Sequence, residues 1–394
     1  MHATSRMAST ATGYCRNNHH PKEKMGFRKI PTILSRSVMT SLSSPCFTSS
    51  TSSSPLSSIL AESWSQASTG YDRVFIPKFQ PWTDDGLHYL EEALRHDPSS
   101  FVSKDKEEEN EVIHVYVPCC GPGQELIPVA NTIENVLGEK KKGKATKIQV
   151  LGLDLSPGMV EVARRRIEAA SEDTKQEQDK KTTIINLDKE ITAVVGDAAL
   201  PPSSNNHIVF SCFGLQQLPD PLSTLQVWIQ SLRVGGVAVV LYWPPKVEED
   251  NGPWSRWSQL VKAKLLQEKK DAENEKKLTT VAAANPPPSN KEESNKSVST
   301  DFDVQITKFL KEQKQDETKS TMSILQNCYK SHEMKWKNID EFWTSMTHYG
   351  PWKSLRLKRG DDFVDGLRDE FINVMKKGGK DDDDDDEMSH LPKA

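Results

Sequence analysis

The clearest shortage in this 394-residue sequence is of apolar residues, which make up 35% of it. Globular domains usually contain about 45–50%. Because polar chain cannot bury enough surface to offset the conformational entropy lost on folding, we expect one globular unit accompanied by polar tails and an insert.

Other absences exclude whole classes of protein. The longest apolar stretch, 234–245, is far shorter than the roughly 20 residues of a membrane-spanning helix, so no membrane span is predicted. The formal net charge of −5 excludes a globally basic nucleic-acid-binding protein. The six cysteines form no Cys-x-x-Cys pair and no Cys/His cluster with zinc spacing, so we expect neither a disulfide framework nor a metal site.

The amino-terminal segment, 1–61, is basic and rich in hydroxyl groups. It contains seven Lys or Arg and a single acid, Glu23, and 15 of the 24 residues in 35–58 are Ser or Thr. This composition is typical of a transit peptide to an organelle, either mitochondrion or plastid. The alternative is a disordered tail without an address, which would leave the protein in the cytoplasm.

The segment 62–245 alternates strand-like and helix-like patterns. Strands are predicted at 112–117, 147–153, 191–195, 207–212 and 237–243. Helices are predicted at 84–95 and after Gly123, Ser156 and Asp220, with a hydrophilic loop over 171–189. Because the strands are apolar on both faces, we predict a doubly wound α/β domain with a mostly parallel sheet.

The rest of the chain divides by composition. Segment 246–300 is interpreted as a helix followed by a disordered insert over 267–300, since that part is charge-rich and contains three consecutive prolines. Segment 301–378 is aromatic, contains a helix near 363–375, and is assigned to the substrate side. Segment 379–394 is an acidic tail.

A glycine-containing turn follows the first of these strands, in the sequence VYVPCCGPGQ. Gly121 and Gly123 allow close approach of a ligand, and the next helix offers free amide hydrogens to it. Alone, the pattern is explained equally well by a tight turn without a ligand. Leu126 occupies the third glycine position of the dinucleotide fingerprint, which disfavours a nicotinamide-dependent oxidoreductase.

Two aspartates end the next two strands. Asp154 is placed to accept hydrogen bonds from ribose hydroxyls, and Asp197 to accept one from an adenine amine. The alternatives are a helix cap and an ordinary turn residue. Ligands of such sheets bind outside the carboxyl ends of the strands, where both acids and the glycine turn are expected.

The motif series VYVPCCGPG, VLGLDLSPGMVEVAR, VVGDAALPP, HIVFSCFGLQQLPDP and LRVGGVAVVLYWP resembles the class I S-adenosylmethionine-dependent methyltransferases. It is most similar to the small-molecule branch that includes the ubiquinone and menaquinone biosynthesis enzymes (methyltransferase type 11). The resemblance covers about 64–245, with a looser match at EFWTSMTHYGPW.

The resemblance implies S-adenosylmethionine as the cofactor and a Rossmann-like seven-stranded sheet. The implied cofactor-binding residues are Cys119, Gly121, Gly123, Asp154, Leu155, Asp197, Ala198 and Phe213. Of these, Gly121 and Gly123 would line the methionine part, Asp154 would bind ribose, Leu155 would pack on adenine, and Asp197–Ala198 would hold the adenine edge.

Two residues depart from the family pattern. Val117 stands where the family usually has an acid, and Cys119 replaces the first glycine. Both residues, together with the predicted insert, favour the alternative of a methyltransferase-like protein that has lost catalysis and acts as an assembly or interaction factor.

The resemblance implies methyl transfer to a small-molecule acceptor by in-line displacement, without metal. His348 and Tyr349 are weak candidates for a general base, because ordinary packing or surface positions explain both residues better. Four tryptophans are candidates for an acceptor pocket or for plain core: Trp243, Trp336, Trp343 and Trp352. The sequence Ser211–Gly214 lacks the Asn/Asp-Pro-Pro-aromatic signature of nucleobase-methylating relatives, so no nucleic-acid substrate is predicted.

The family sheet normally ends in an antiparallel strand pair. No apolar strand is evident near the end of this sequence, so we expect the last strand to be missing or to be replaced by an earlier segment, for which 332–336 is the candidate.

Overall fold

The computed structural model describes residues 30–36, 55–96, 111–138, 146–178, 188–243, 252–281, 302–315, 322–378 and 388–390. The strands are β1 (Ile30–Arg36), β2 (Glu111–Pro118), β3 (Thr146–Asp154), β4 (Asp188–Val195), β5 (Asn206–Cys212), β6 (Leu232–Leu241), β7 (Met322–Cys328), β8 (Met334–Trp336) and β9 (Met388–His390). The helices are α1 (Pro55–Val74), α2 (Ile76–His96), α3 (Leu126–Gly138), α4 (Pro157–Gln178), α5 (Pro221–Gln230), α6 (Pro253–Val281), α7 (Phe302–Gln315), α8 (Ile339–Met346), α9 (Gly350–Arg359) and α10 (Asp361–Gly378).

A parallel sheet of five strands in the order β4-β3-β2-β5-β6 forms the centre of the molecule. Every residue of β5 is buried, as expected for a strand covered on both faces. Successive β5 residues point to opposite faces: Ile208 and Phe210 join the apolar cluster on one side, and Val209 joins the cluster on the other. The predicted doubly wound α/β fold is confirmed.

Two antiparallel strands extend this sheet beyond β6. β1 pairs with β6 on one side and with β7 on the other. β8 instead pairs with β9 in a separate two-stranded sheet, so the expectation that 332–336 replaces the last strand is wrong. The pairing partner of β6 comes from the amino-terminal segment, a long-range connection that local sequence patterns do not reveal.

This arrangement also bears on the segment interpreted as a leader. β1 lies inside 1–61, and α1 begins at Pro55, before the expected boundary. The transit-peptide interpretation itself stays a prediction.

Two helices run further than their sequences suggested. α4 continues to Gln178, into the expected loop at 171–189, and α6 continues to Val281, into the expected disordered insert. The insert prediction is wrong for 267–281, because Lys, Glu, Gln and Ala favour a helix even without an apolar stripe. Residues 282–300 and 381–387 of the predicted insert and acidic tail lie outside the described residues.

The helices cover both faces of the sheet. α5 and α7 pack on one face through Trp228, Ile229 and Ile306, while α2, α3 and α4 pack on the other. None of the described helices is both long and apolar enough to cross a membrane.

Helix α1 lies across the carboxyl edge of the sheet. A Cβ atom on Gly158, at the start of α4, would be 2.7 Å from the carbonyl oxygen of Ser65. A Cβ atom on Gly350, at the start of α9, would clash with the Trp64 ring. α1 is therefore held closely between α4 and α9, above the ends of the strands.

Candidate functional site

The glycine turn connects β2 to α3. Cys119, Gly121 and Gly123 all have left-handed backbone conformations, with φ of 53°, 50° and 74°. A Cβ atom on Gly123 would be 2.7 Å from Cβ of Ala163 in α4, so close packing requires glycine there. A Cβ atom on Gly121 would meet nothing within 4 Å, so the turn has open space beside it.

Asp154, at the end of β3, is hydrogen-bonded directly to this turn. Its Oδ2 accepts a hydrogen bond from the backbone N–H of Gly121 at 2.9 Å, and its Oδ1 accepts one from Ser156 N–H at 2.9 Å. Burial raises the pKa of Asp154, while these two backbone donors lower it. Ser156 separately caps α4 by accepting from Met159 N–H, so capping alone does not explain Asp154.

The turn after β4 lies beside Asp154. Gly196 N–H donates to the backbone carbonyl of Asp154 at 2.9 Å. The Asp197 side chain is exposed and accepts from Ala199 N–H, whereas Ala198 is buried. The carbonyl of Ala198 accepts hydrogen bonds from the Tyr116 hydroxyl and the Trp228 indole, each at 2.8 Å. Two buried donors therefore fix this turn.

The carboxyl ends of three neighbouring strands thus meet as expected. Leu155, which follows Asp154, is 36% exposed, an unusual position for a leucine beside a buried strand end. A flat apolar ligand could cover it.

Phe213 and Gly214 follow β5. Phe213 has a positive φ of 58°, and its ring stacks on Trp243 with centroids 4.3 Å apart. A Cβ atom on Gly214 would be 2.3 Å from Cβ of Cys119. The Cys119 side chain therefore occupies space left free by Gly214, a compensation that sequence spacing did not reveal.

Glu125 is a site residue that the sequence analysis missed. It lies just before α3, is 1% exposed, and accepts a hydrogen bond from Gln124 Nε2. Burial raises its pKa to about 8, while its own backbone N–H and Arg166 lower it. The sequence did contain a signal for Glu125: an acid directly follows the glycine turn, where α3 enters the core.

An aromatic group from α1, the α1–α2 junction, α6 and the α8–α9 turn covers the strand ends. The Tyr349 ring lies 5.6 Å from Trp64, 5.6 Å from Phe75 and 5.1 Å from Trp254. The Trp64 ring in turn lies 5.2 Å from Tyr71, whose pKa is raised by burial and by neighbouring groups including Asp154. We call Trp64, Tyr71, Phe75, Trp254 and Tyr349 the aromatic cap.

The structure separates the two candidate bases. Tyr349 belongs to the aromatic cap, and burial raises its pKa to about 12 although a hydrogen bond from Gln217 lowers it. His348 packs against Gly70 of α1, and burial lowers its pKa. Their surroundings favour a packing role for His348 and a position facing the crevice for Tyr349.

The four candidate pocket tryptophans also separate. Trp243 stacks on Phe213, and Trp336 and Trp343 are buried in the core. Trp352 is buried too, but it lines a cavity of about 670 Å³ between α6 and the α8–α9 region. The other lining residues include Trp254, Trp257, Leu265, Lys262, Lys269 and Tyr349. Within the described part of the chain, no group of three potential metal ligands is present.

No family model matches this chain, and no curated protein matches it. Solved structures do match. A loganic acid methyltransferase with SAH is 9% identical, covers 78% of this chain and 94% of its own, and has a TM-score of 0.40. A putative methyltransferase from Bacillus halodurans is 16% identical, with coverages of 73% and 90% and a TM-score of 0.32. The YcgJ protein from Bacillus subtilis is 10% identical, with coverages of 79% and 95% and a TM-score of 0.34.

Proposed function

We propose that this protein transfers a methyl group from S-adenosylmethionine to a small-molecule acceptor. The observation that carries the proposal is the bond between Asp154 Oδ2 and the N–H of Gly121, because it joins a carboxylate to a glycine turn with open space beside it. A carboxylate at a strand end next to a glycine turn suits the ribose of an adenosyl ligand.

The residues present fit that cofactor. Asp154 would accept from the ribose hydroxyls, the exposed Leu155 would pack on adenine, and Asp197 would accept from its amine. The open space at Gly121 would take the methionine part. When bound, S-adenosylmethionine would supply a sulfonium-activated methyl group for in-line displacement by the acceptor.

The protein's contribution would be alignment and exclusion of water. α1 and the aromatic cap lie over the strand ends, where they would shield the reacting atoms. Correct alignment of two reactants is worth about 7–11 kcal/mol, so no protein nucleophile is needed. The Tyr349 hydroxyl would position an oxygen or nitrogen acceptor by hydrogen bonding. Because its pKa is raised to about 12, it is a donor rather than a base at neutral pH.

The cavity beside Tyr349 is our candidate for the acceptor site. Its tryptophan and leucine lining favours an apolar or aromatic acceptor, and Lys262 and Lys269 favour one that carries negative charge.

One observation favours a second function, that of a methyltransferase-like interaction factor without catalysis. Cys119 adopts the left-handed conformation expected of the glycine it replaces, and burial raises the pKa of its thiol. The side chain narrows the turn, although Gly214 provides room for it.

Calorimetric titration with S-adenosylhomocysteine tests the proposal. We expect wild-type binding in the micromolar range, and binding about 10–100-fold weaker for Asp154→Asn, because a hydrogen bond to a charged acceptor is worth about 1.5–3 kcal/mol. The matched control is Asp369→Asn, at an exposed position of α10. Absence of detectable binding to the wild-type protein would support the interaction factor instead.

If binding is found, labelled S-adenosylmethionine and a cell extract would identify the acceptor. Transfer of label to a small molecule supports the enzyme, whereas binding without any transfer supports the noncatalytic function.

A further inference from the structure

Glu125 is a buried acid whose carboxylate is incompletely paired. Its Oε1 accepts from Gln124 Nε2 at 2.6 Å, but Oε2 has no hydrogen-bond partner among the described residues. The residue is 1% exposed, so bulk water does not readily supply the missing hydrogen bond to Oε2. An unpaired buried carboxylate oxygen is costly, and such groups in native proteins commonly have a ligand or a functional role.

The surroundings of Glu125 place it at the proposed cofactor crevice. The groups that interact with it electrostatically are Tyr71, Cys119, Cys120, Asp154, Cys212 and Arg166. Cys119 and Cys120 belong to the glycine turn, Asp154 and Cys212 end two strands, and Tyr71 belongs to the aromatic cap. These elements surround the space assigned to the methionine part of the cofactor.

The charges around Glu125 favour a bound cation. Arg166 donates from Nη2 to the Asp72 carboxylate at 2.5 Å, while its buried Nη1 has no hydrogen-bond partner among the described residues and its charge lowers the pKa of Glu125. Asp154 contributes a second carboxylate, and burial raises the pKa of Glu125 to about 8, so the acid is largely neutral when no cation is near. A bound ammonium group would favour the ionised form and would satisfy the unpaired oxygen.

Val117 supplies the other half of the argument. The methyltransferase resemblance implies an acid near the cofactor's amino group at this position, and Val117 is 1% exposed within the apolar core. The carboxylate missing from the end of β2 is thus matched by an additional carboxylate at the start of α3.

Building on the proposed function, we propose that Glu125 binds the ammonium group of the cofactor's methionine part, in place of the acid absent at Val117. The ligand class is an α-amino acid attached to an adenosyl thioether or sulfonium.

The test compares two ligands that differ in the amino-acid part. S-Adenosylhomocysteine carries the ammonium group, whereas 5′-deoxy-5′-methylthioadenosine retains the adenosine and thioether but lacks it. For Glu125→Gln, we expect calorimetry to show about 10–100-fold weaker binding of S-adenosylhomocysteine. Binding of methylthioadenosine should stay within about twofold of wild type. Glu161→Gln, at an exposed position of α4, is the control and should change neither affinity.

The outcomes separate the possible failures. Equal weakening of both ligands would mean that Glu125 is structural, and unchanged affinity for S-adenosylhomocysteine would mean that it does not touch the ammonium group. Either result overturns this inference while leaving the proposed function standing. If wild-type protein binds neither ligand, the proposed function fails and this inference fails with it.

Discussion

At the scale of single residues, the site depends on steric compensation: Cys119 has a side chain where glycine is expected, and Gly214 opposite it has none. A cysteine with φ of 53° occupies a conformation that glycine adopts more readily, at a cost on the order of 1–3 kcal/mol. The strain is tolerable because the opposite residue has no side chain: a Cβ atom on Gly214 would be 2.3 Å from Cβ of Cys119. Two sequence-distant residues therefore form one structural unit.

Gly214→Ala should be destabilising for steric reasons alone. Gly214 has φ of −88° and ψ of −40°, which alanine adopts freely, so backbone strain does not contribute. We expect urea denaturation to show a loss of about 1–3 kcal/mol in the free energy of unfolding, the usual range for overpacking. Gly366→Ala in α10 is the control, because its Cβ atom would meet nothing within 4 Å.

The double variant Cys119→Gly with Gly214→Ala distinguishes this explanation from general damage. Removing the Cys119 side chain leaves the Ser211 hydroxyl at 3.2 Å as the next contact, which can adjust. The double variant should therefore lose less stability than the sum of the single variants. Strict additivity would show that Cys119 is not the obstacle.

At the scale of secondary-structure elements, α1 completes the site by docking on α4. Gly158 N–H donates to Ser65 Oγ at 3.2 Å, and that hydroxyl lies 2.9 Å from Ser156 Oγ. The helix that carries Trp64 and Tyr71 is thus attached two residues after Asp154. Any shift of α1 would move the aromatic cap relative to the strand ends.

Gly158→Ala should loosen α1 selectively. The new Cβ atom would be 2.7 Å from the carbonyl oxygen of Ser65, which is backbone and cannot rotate away. Alanine otherwise favours a helix by about 1 kcal/mol over glycine, so destabilisation would identify the contact as its cause. We expect faster hydrogen exchange of amides in 58–74, with β2 and β3 unchanged. Uniformly faster exchange in all elements would argue against a local docking role.

The elements themselves were largely predictable. β2, β3 and β5 lie within one or two residues of the predicted strands, because their continuous apolar runs are bounded by Gly, Pro and Asp. α1 and the extensions of α4 and α6 were not predicted, since their polar residues hide helical periodicity. Pairing of β1 with β6 joins residues about 200 positions apart, and no local pattern specifies such a partner.

The site was predictable to the same degree and for the same reason. Asp154 and Gly121 were placed together by the rule that ligands bind at the carboxyl ends of parallel strands, and a hydrogen bond joins them. Glu125, Gly214 and the aromatic cap apart from Tyr349 were missed, because their roles depend on burial and on contacts between distant segments. Chain topology thus locates the crevice, whereas packing determines what it can hold.

At the scale of the whole molecule, two buried groups make stability depend on pH in opposite directions. Glu125 stays protonated in the folded protein up to a pKa of about 8, against 4.5 in the unfolded chain, so it lowers stability as pH rises between these values. His207 is 3% exposed, and burial, Arg233 and His114 lower its pKa to about 3 from 6.5. It lowers stability as pH falls below 6.5, because His207 then binds a proton in the unfolded chain but stays unprotonated in the folded protein.

His207→Asn should flatten the acidic side of the stability profile. His207 Nδ1 accepts a hydrogen bond from His114 N–H at 3.2 Å, a bond that requires the unprotonated nitrogen and that an asparagine oxygen can replace at any pH. A difference of one bound proton between the unfolded and folded states changes the free energy of unfolding by about 1.4 kcal/mol per pH unit. In urea denaturation, the free energy of unfolding of the wild type should therefore fall by about 2 kcal/mol more than that of the variant between about pH 7 and pH 5. His88→Asn, at an exposed position of α2, should leave the profile parallel to wild type. A His207→Asn profile that is also parallel would show that His207 accepts its proton in the folded state.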